Sequence, residues 1–99
     1  MRIEWDEHKN SDNIRKHGLD FSFAHQVFQR PVLRTLDDRQ DYGEDRWIGI
    51  GMLDGVRVVV VVFIEMIDND TIRIISMRKA LAHERKRYTK AFRNEFNSF

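Results

Sequence analysis

The feature that most limits how this chain can fold is the largely apolar run VRVVVVVFIEMI at residues 56–67, with its unbroken valines. β-branched residues favour strands, and a strand that is apolar on both faces belongs in the middle of a sheet. The pair Asp54-Gly55 separates this run from another one, RWIGIGML, at residues 46–53. Asp-Gly between two apolar runs predicts a two-residue hairpin turn, so these runs should form two antiparallel strands.

Further strands are predicted on both sides of this hairpin. The sequence DND at residues 68–70 predicts a second turn, which leads into TIRIIS at residues 71–76 and completes a three-stranded antiparallel meander. Residues Val32 to Leu36 are also predicted to form a strand. Residues Arg2 to Trp5 alternate polar and apolar residues, as in a short edge strand.

A polar helix is predicted near the N-terminus. Asp6 is a suitable N-cap for a helix that runs through EHKNSDNIRKH and ends at Gly18. Ile14 is its only strongly apolar residue, so this helix should lie on the surface. The polar side chains that we expect to be free for other contacts are His8, Lys9, Asn13, Lys16 and His17.

A second helix is predicted within DFSFAHQVFQRP, where Asp20 or Ser22 is the cap and Pro31 ends the helix. Its expected buried face consists of Phe23, Ala24, Val27 and Phe28.

A C-terminal helix is predicted because the apolar period changes after Ser76. The stripe that should pack this helix against the sheet is Leu81, Tyr88, Phe92 and Phe96. Together the elements indicate an α+β fold, a small antiparallel sheet with two N-terminal helices and one C-terminal helix. A chain of 99 residues has room for one core, so residues 1–99 should form a single domain.

Several classes of function are disfavoured by what the sequence lacks. It has no cysteine, which removes zinc fingers and thiol catalysis, and its four histidines have no metal-ligand spacing. It has no Gly-rich phosphate loop either, so we expect no metal and no cofactor. The acidic stretch at residues 37–45 does not match a calcium loop, and we expect solvated loop charges there. The N-terminal residues lack an apolar signal segment, and residues 58–64 are too short to span a membrane, which favours the cytoplasm.

Positive charge is concentrated in the C-terminal third, although the formal net charge is only +1. Arg73 lies in the last predicted strand, and Arg78 and Lys79 lie where this strand should give way to the helix. Converging cations indicate a polyanion or an acidic protein surface as partner. The alternatives are a solvated basic helix start and an Arg73 that is solvated or paired with Glu65 across the hairpin.

These residue types suit metal-free acid–base cleavage of RNA. RNA carries its own nucleophile, the 2′-hydroxyl, so cleavage needs a base, an acid for the leaving oxygen and cations for the developing charge. The candidate acids and bases are Glu44, Glu65, His17 and Lys79. The candidate phosphate ligands are Arg46, Arg73 and Arg78. The aromatic side chains that would stack on a base if exposed, and otherwise belong to the core, are Trp5, Trp47 and Tyr42.

Four motifs follow one another along the chain. They are W-D-x-x-K (Trp5, Asp6, Lys9), K-H-G-x-x-F (Lys16, His17, Gly18, Phe21), Y-G-E-x-R (Tyr42, Gly43, Glu44, Arg46) and R-I-I-S-x-R-K-A (Arg73, Ser76, Arg78, Lys79) with Glu84 and Tyr88 downstream. In this order they resemble the BrnT family of toxins from type II toxin–antitoxin systems, over nearly the whole chain. One departure is Met66, because many members have arginine directly after the strand glutamate.

The resemblance implies a RelE-like ribonuclease fold and a metal-independent, RNA-cleaving toxin that arrests translation. It also implies a ribbon-helix-helix antitoxin of the BrnA kind, whose complex with the toxin binds the operon's own DNA. The resemblance does not by itself assign the acid and the base. Our hypothesis places Arg46, Arg73 and Arg78 on the phosphate with Lys79 in support and gives proton transfer to Glu44 or His17, while Glu65 orients an arginine.

Two other functions are compatible with the same basic surface. One is a non-enzymatic partner that docks an acidic antitoxin segment and represses transcription with it. The other is a free-standing RNA- or DNA-binding domain, because charge attraction to phosphates contains no information about a reaction. Growth arrest on expression, reversed by the neighbouring gene, separates the toxin from both.

Overall fold

The three strands of the predicted meander lie together in a five-stranded sheet. The computed structural model describes residues 1–68 and 70–93. In chain order its elements are β1 (Arg2–Trp5), α1 (Glu7–His17), a 3-10 turn (Phe21–Phe23), α2 (Ala24–Phe28), β2 (Leu33–Asp37), β3 (Arg46–Leu53), β4 (Arg57–Glu65), β5 (Thr71–Lys79) and α3 (Ala82–Ala91). The strand order is β1-β5-β4-β3-β2, so the valine-rich β4 is central, as its sequence predicted.

The predicted hairpin between β3 and β4 is confirmed, but its loop has three residues and not two, because Leu53 pairs with Arg57. Its turn residues Asp54 and Gly55 have φ angles of 52° and 75°, which gives the primed type of turn whose twist matches that of the strands. Strand β3 has the predicted bounds, whereas β4 is shorter than the apolar run. Strand β2 begins and ends one residue later than the predicted Val32 to Leu36.

The sheet is mixed, and the prediction of a purely antiparallel sheet is wrong at β1. This strand lies at the edge and runs parallel to β5, with Trp5 beside Ile74. The other three strand pairs are antiparallel. Alternation of polar and apolar residues predicted the edge position of β1 but contains no information about the direction of its neighbour.

Strand β5 contains a bulge and continues past Ser76, where the sequence predicted its end. Ser76 pairs with Val62 and Ile74 pairs with the next residue of β4, so Ile75 is an extra residue. Arg73 and Arg78 are five positions apart and would point to opposite faces of a regular strand. The bulge restores them to one face, because their partners in β4 are Ile64 and Val60, which share a face.

The sheet has an apolar core on each face. On one face, α2 and the 3-10 turn pack against residues of the three central strands; this core includes Leu19, Phe21, Ala24, Val27, Leu53, Val59, Val61, Phe63, Ile72, Ile74 and Met77. On the other face, α3 covers a smaller cluster of Ile50, Val60, Ala80 and Tyr88. Arg73 and Arg78 share the face of α3 with Val60. No helix of the described residues is long and apolar enough to cross a bilayer.

Helix α1 has the predicted caps but not the predicted mode of docking. Asp6 accepts hydrogen bonds from the backbone N–H groups of the first turn, and Gly18 ends the helix at φ 69°. Ile14 is 42% exposed, whereas Asn13 is buried, so the expectation that Asn13 is free is wrong. The Asn13 amide donates to the Met77 carbonyl (2.9 Å) and accepts from the Met77 N–H (3.1 Å). Asn13 thus acts on β5 as a neighbouring strand would.

The predicted second helix is split into two parts. Asp20 caps the 3-10 turn by accepting from the Ser22 N–H at 2.9 Å, and α2 follows directly. Of the expected buried face, Ala24 and Val27 are fully buried, while Phe23 and Phe28 are half-buried against the same core.

The C-terminal helix begins later than Ser76 and uses fewer residues of the predicted stripe. Leu81 is its N-cap and is 56% exposed, so the placement of Leu81 in the stripe is wrong. Tyr88 is fully buried, and its hydroxyl donates to the Pro31 carbonyl at 2.8 Å. Phe92 packs beside Tyr88. Phe96 lies outside the described residues.

Candidate functional site

A small cationic crevice lies where α1 begins beside β5. Its polar lining consists of Asp6, Lys9, Glu44, Arg46 and Arg73, which we call the Arg46 cluster. The crevice has a volume of about 120 Å³. That is well below the roughly 300 Å³ at which pockets for whole small molecules begin, but it suits a single charged group.

Arg46 is the most constrained side chain of this cluster. Its guanidinium carbon lies 4.1 Å from the centre of the Tyr42 ring, which is a cation–π contact. Its Nε is buried and has no hydrogen-bond partner among the described residues. A buried N–H without a partner costs about 1–3 kcal/mol, so Arg46 has a donor that the described residues leave unsatisfied.

A second cationic pocket lies where α1 and β5 end. It is lined by Lys16, His17, Arg78 and Lys79, which we call the Arg78 cluster, together with Leu81. Helix α1 contributes two of these polar side chains and β5 contributes the other two. Asn13, which bonds to the neighbouring Met77, fixes these two elements against each other.

Within the Arg78 cluster, the guanidinium of Arg78 is held by Glu84 of α3. Its two terminal nitrogens donate to the two carboxylate oxygens of Glu84 at 2.8 and 2.9 Å. Glu84 also accepts from the Leu81 N–H at 2.7 Å, so the start of α3 and the direction of Arg78 depend on one carboxylate. The bond from Arg78 lowers the pKa of Glu84 to about 2, so Glu84 is ionised at neutral pH.

An ion pair between the last residue of β2 and the loop that follows was not predicted from the sequence. The Asp37 side chain is completely buried, and it accepts two hydrogen bonds from the Arg39 guanidinium, both at 2.8 Å, and one from the Tyr42 hydroxyl. Arg39 therefore holds the pKa of Asp37 well below its usual range. The expectation of a solvated charge is wrong for Asp37, because this residue is the last of β2 and not part of the loop.

The six expected site residues are divided equally between the two pockets. Glu44, Arg46 and Arg73 line the first, and His17, Arg78 and Lys79 line the second. They therefore do not surround one phosphate. Lys9 completes the first pocket and Lys16 the second; both were visible in the sequence motifs, but their side chains were not singled out as site residues.

Glu65 orients an arginine, but a different one from those considered. It forms an ion pair with Arg34 of β2, whose guanidinium lies 4.2 Å from the Trp47 ring. The alternative in which Glu65 pairs with Arg73 is wrong. The register places Arg73 opposite Ile64, on the face of the sheet opposite to that of Glu65.

The three candidate stacking residues are all half-buried. Trp5 and Trp47 pack against the larger core, and Trp47 is also covered by Arg34. Tyr42 is occupied by Arg46 and Asp37. Within residues 1–68 and 70–93, no three histidine or carboxylate side chains are grouped as a metal site.

Comparisons with known proteins agree with this fold. Residues 5–84 match the model of a family described as the ribonuclease toxin BrnT of type II toxin–antitoxin systems. The crystal structure of the Brucella abortus ribonuclease toxin BrnT, at 1.1 Å resolution, superposes with a TM-score of 0.61 and 34% sequence identity. The match covers 82% of this chain and 97% of the Brucella chain. The comparison with curated proteins found no match.

Both matches place the chain in one class, the ribonuclease toxins of toxin–antitoxin systems. Because the family model spans most of its length, the chain belongs to the BrnT family. The resemblance found in the sequence motifs is thereby confirmed, and so is the α+β fold class.

Proposed function

We propose that this protein is a metal-independent endoribonuclease that cleaves RNA at the Arg46 cluster. The observation that supports this proposal best is the buried, unpartnered Nε of Arg46 in a crevice that also holds Lys9 and Arg73. A phosphodiester that enters the crevice supplies an acceptor for Arg46, and the three cations exceed the two carboxylates, Asp6 and Glu44, by one charge.

The proposed chemistry uses the RNA's own 2′-hydroxyl as nucleophile. Arg46 and Arg73 stabilise the negative charge that builds on the phosphorus oxygens as the P–O bond to the 5′ oxygen breaks. Glu44 is exposed at the same crevice, and we assign to it the removal of the proton from the 2′-hydroxyl. The 2′ oxygen then bonds to phosphorus to form a 2′,3′-cyclic phosphate, and the leaving 5′ oxygen takes a proton from water. His17, Arg78 and Lys79 contact the RNA from the second pocket.

In the cell, we propose that this cleavage arrests translation on a RelE-like scaffold, in the cytoplasm. The partner that neutralises the toxin is a ribbon-helix-helix antitoxin of the BrnA kind, and operator DNA is bound only through the complex. The family description supports the general part of this proposal, a toxin paired with an antitoxin.

The test is cleavage of a defined RNA in EDTA by the purified wild-type protein and by Arg73→Ala and Arg46→Lys variants whose folding is checked by circular dichroism. Arg46→Lys keeps the positive charge but removes Nε. We expect each variant to lose about 10²- to 10³-fold in kcat, as for the loss of one oxyanion donor. Arg15→Ala is the matched control, because Arg15 lies on α1 outside both clusters and, among the described residues, pairs only with Asp12.

Full activity of both folded variants contradicts this placement of the site. Absence of cleavage by the wild-type protein, with or without ribosomes, contradicts the enzymatic function itself. In growth assays, expression of the wild-type chain should arrest growth, co-expression of the antitoxin should restore it, and Arg73→Ala should be harmless.

A further inference from the structure

We propose that the Arg78 cluster is a second phosphate subsite, separate from the place of cleavage, and that the substrate is single-stranded RNA long enough to reach both clusters. This proposal rests on the proposed function, in which the Arg46 cluster is the place of cleavage. Both pockets are lined by α1 and β5, at opposite ends of the line along which these elements pack. One continuous strand laid along this line reaches both.

The separation of the clusters follows from the geometry of the two elements. Lys9 and Lys16 both lie in α1, and seven residues of helix span about 10 Å at 1.5 Å per residue. Arg73 and Arg78 both lie in β5, and because of the bulge their partners Ile64 and Val60 are four residues of β4 apart, which span about 13 Å at 3.3 Å per residue. A stacked strand of nucleic acid advances about 3.4 Å per nucleotide, so the gap corresponds to about three to four nucleotides.

The excess of positive charge at the Arg78 cluster favours binding of an anion. Glu84 pairs with Arg78, but Lys16, His17 and Lys79 form no ion pair with any described residue. The negative end of the α1 dipole explains basic residues in its last turn, but it does not explain a further lysine brought in by β5. Because Asn13 fixes α1 to β5, the backbones that carry Lys16 and Lys79 stay beside each other at this pocket. A bound phosphate reduces the repulsion between their charges.

The bidentate pair between Arg78 and Glu84 fits a positioning role at this subsite. Glu84 occupies two donors of the guanidinium and holds its plane in one direction, so the Arg78 charge stays at the pocket without turning towards solvent. The Arg46 crevice is different, because its buried donor has no hydrogen-bond partner in the described part of the chain. The two clusters therefore fit two roles, docking at Arg78 and reaction at Arg46.

The test measures binding of 2′-O-methyl RNA oligonucleotides of two to ten nucleotides by fluorescence anisotropy. These probes lack the 2′-hydroxyl nucleophile and are not cleaved, so binding is measured whether or not the protein is a nuclease. For the wild-type protein, affinity should rise with length up to about five or six nucleotides and then level off. An affinity that is independent of length overturns the proposal.

A Lys16→Ala, Lys79→Ala double variant should bind the ten-nucleotide probe about tenfold more weakly at low salt, while its affinity for the dinucleotide should not change. Loss of two single-strand phosphate contacts should reduce the slope of log K against log salt by about 1.4, at about 0.7 per contact. Lys86→Ala, Lys90→Ala is the matched control, because it removes the same charge from α3 outside both clusters.

Equal loss of affinity in the two double variants shows only an effect of net charge and overturns the subsite. The subsite is also overturned if the Lys16→Ala, Lys79→Ala variant loses affinity equally for the dinucleotide and for the ten-nucleotide probe. With a cleavable RNA, the Lys16→Ala, Lys79→Ala variant should raise KM more than it lowers kcat. A wild-type protein that binds with the expected length dependence and cleaves no RNA contradicts the proposed function but leaves the second subsite in place.

Discussion

Replacement of Asn13 by alanine tests how α1 is attached to the sheet. The Asn13 amide makes three hydrogen bonds to backbone groups, two with Met77 and one with the Leu19 carbonyl at 2.9 Å. Met77 and Leu19 are fully buried, so water cannot replace the amide. Each backbone group left without a partner costs about 1–3 kcal/mol. Because carbonyl oxygens tolerate partial satisfaction, we take the low end and expect about 3 kcal/mol of lost stability.

The assays are urea unfolding, which gives the free energy of unfolding, and thermal unfolding, which gives Tm, both followed by circular dichroism. For a domain of this size 1 kcal/mol corresponds to about 4–8 °C, so Tm should fall by about 12–24 °C. Ile14→Ala is the control, because Ile14 is the apolar residue of the same helix and is 42% exposed. Its loss should cost less than about 1 kcal/mol. If Ile14→Ala destabilises the protein more than Asn13→Ala does, the reasoning from the structure is refuted.

Three further changes have expected outcomes. Gly51→Ala places a methyl group 2.6 Å from a methyl of buried Val27, so urea unfolding should show a loss of about 1–3 kcal/mol, and unchanged stability would contradict this packing. Arg78 lowers the pKa of Glu84 from 4.5 to about 2, so the ion pair stabilises the fold fully above about pH 4.5, and this stabilisation is lost as the pH falls towards 2. Glu84→Gln should remove this part of the acid dependence when stability is measured against pH. An unchanged dependence on acid pH would contradict the role of the pair. Tyr88→Phe leaves a backbone carbonyl without its donor and should cost about 1 kcal/mol in thermal unfolding, whereas a neutral effect would show that this hydroxyl adds nothing.

The parts of the fold that could be predicted are those that depend on neighbouring residues. The Asp54-Gly55 turn and the caps of α1 at Asp6 and Gly18 were found in the sequence, because each requires particular residues at particular positions. The parallel pairing of β1 with β5 was not found, since it joins segments about 70 residues apart and no local pattern records it.

The candidate site was predicted in part for a similar reason. The sequence drew attention to Arg73 and Arg78 as cations of the last strand, but it did not show that they line two separate pockets, and only the bulge at Ile75 places them on one face. Nothing in the residue types marks that bulge. The burial of Asn13 was also hidden, because a polar residue on a polar helix predicts exposure unless its backbone partners are known.

The parallel pairing of β1 with β5 has a consequence for synthesis. Each cluster combines side chains from the first 20 residues with side chains of β5, which is made much later. A ribosome-bound chain that ends before residue 73 has the α1 half of each pocket and no strand for it to pack against. Long-range pairing of this kind also forms slowly. The two halves of each cluster therefore meet only after most of the chain has been translated.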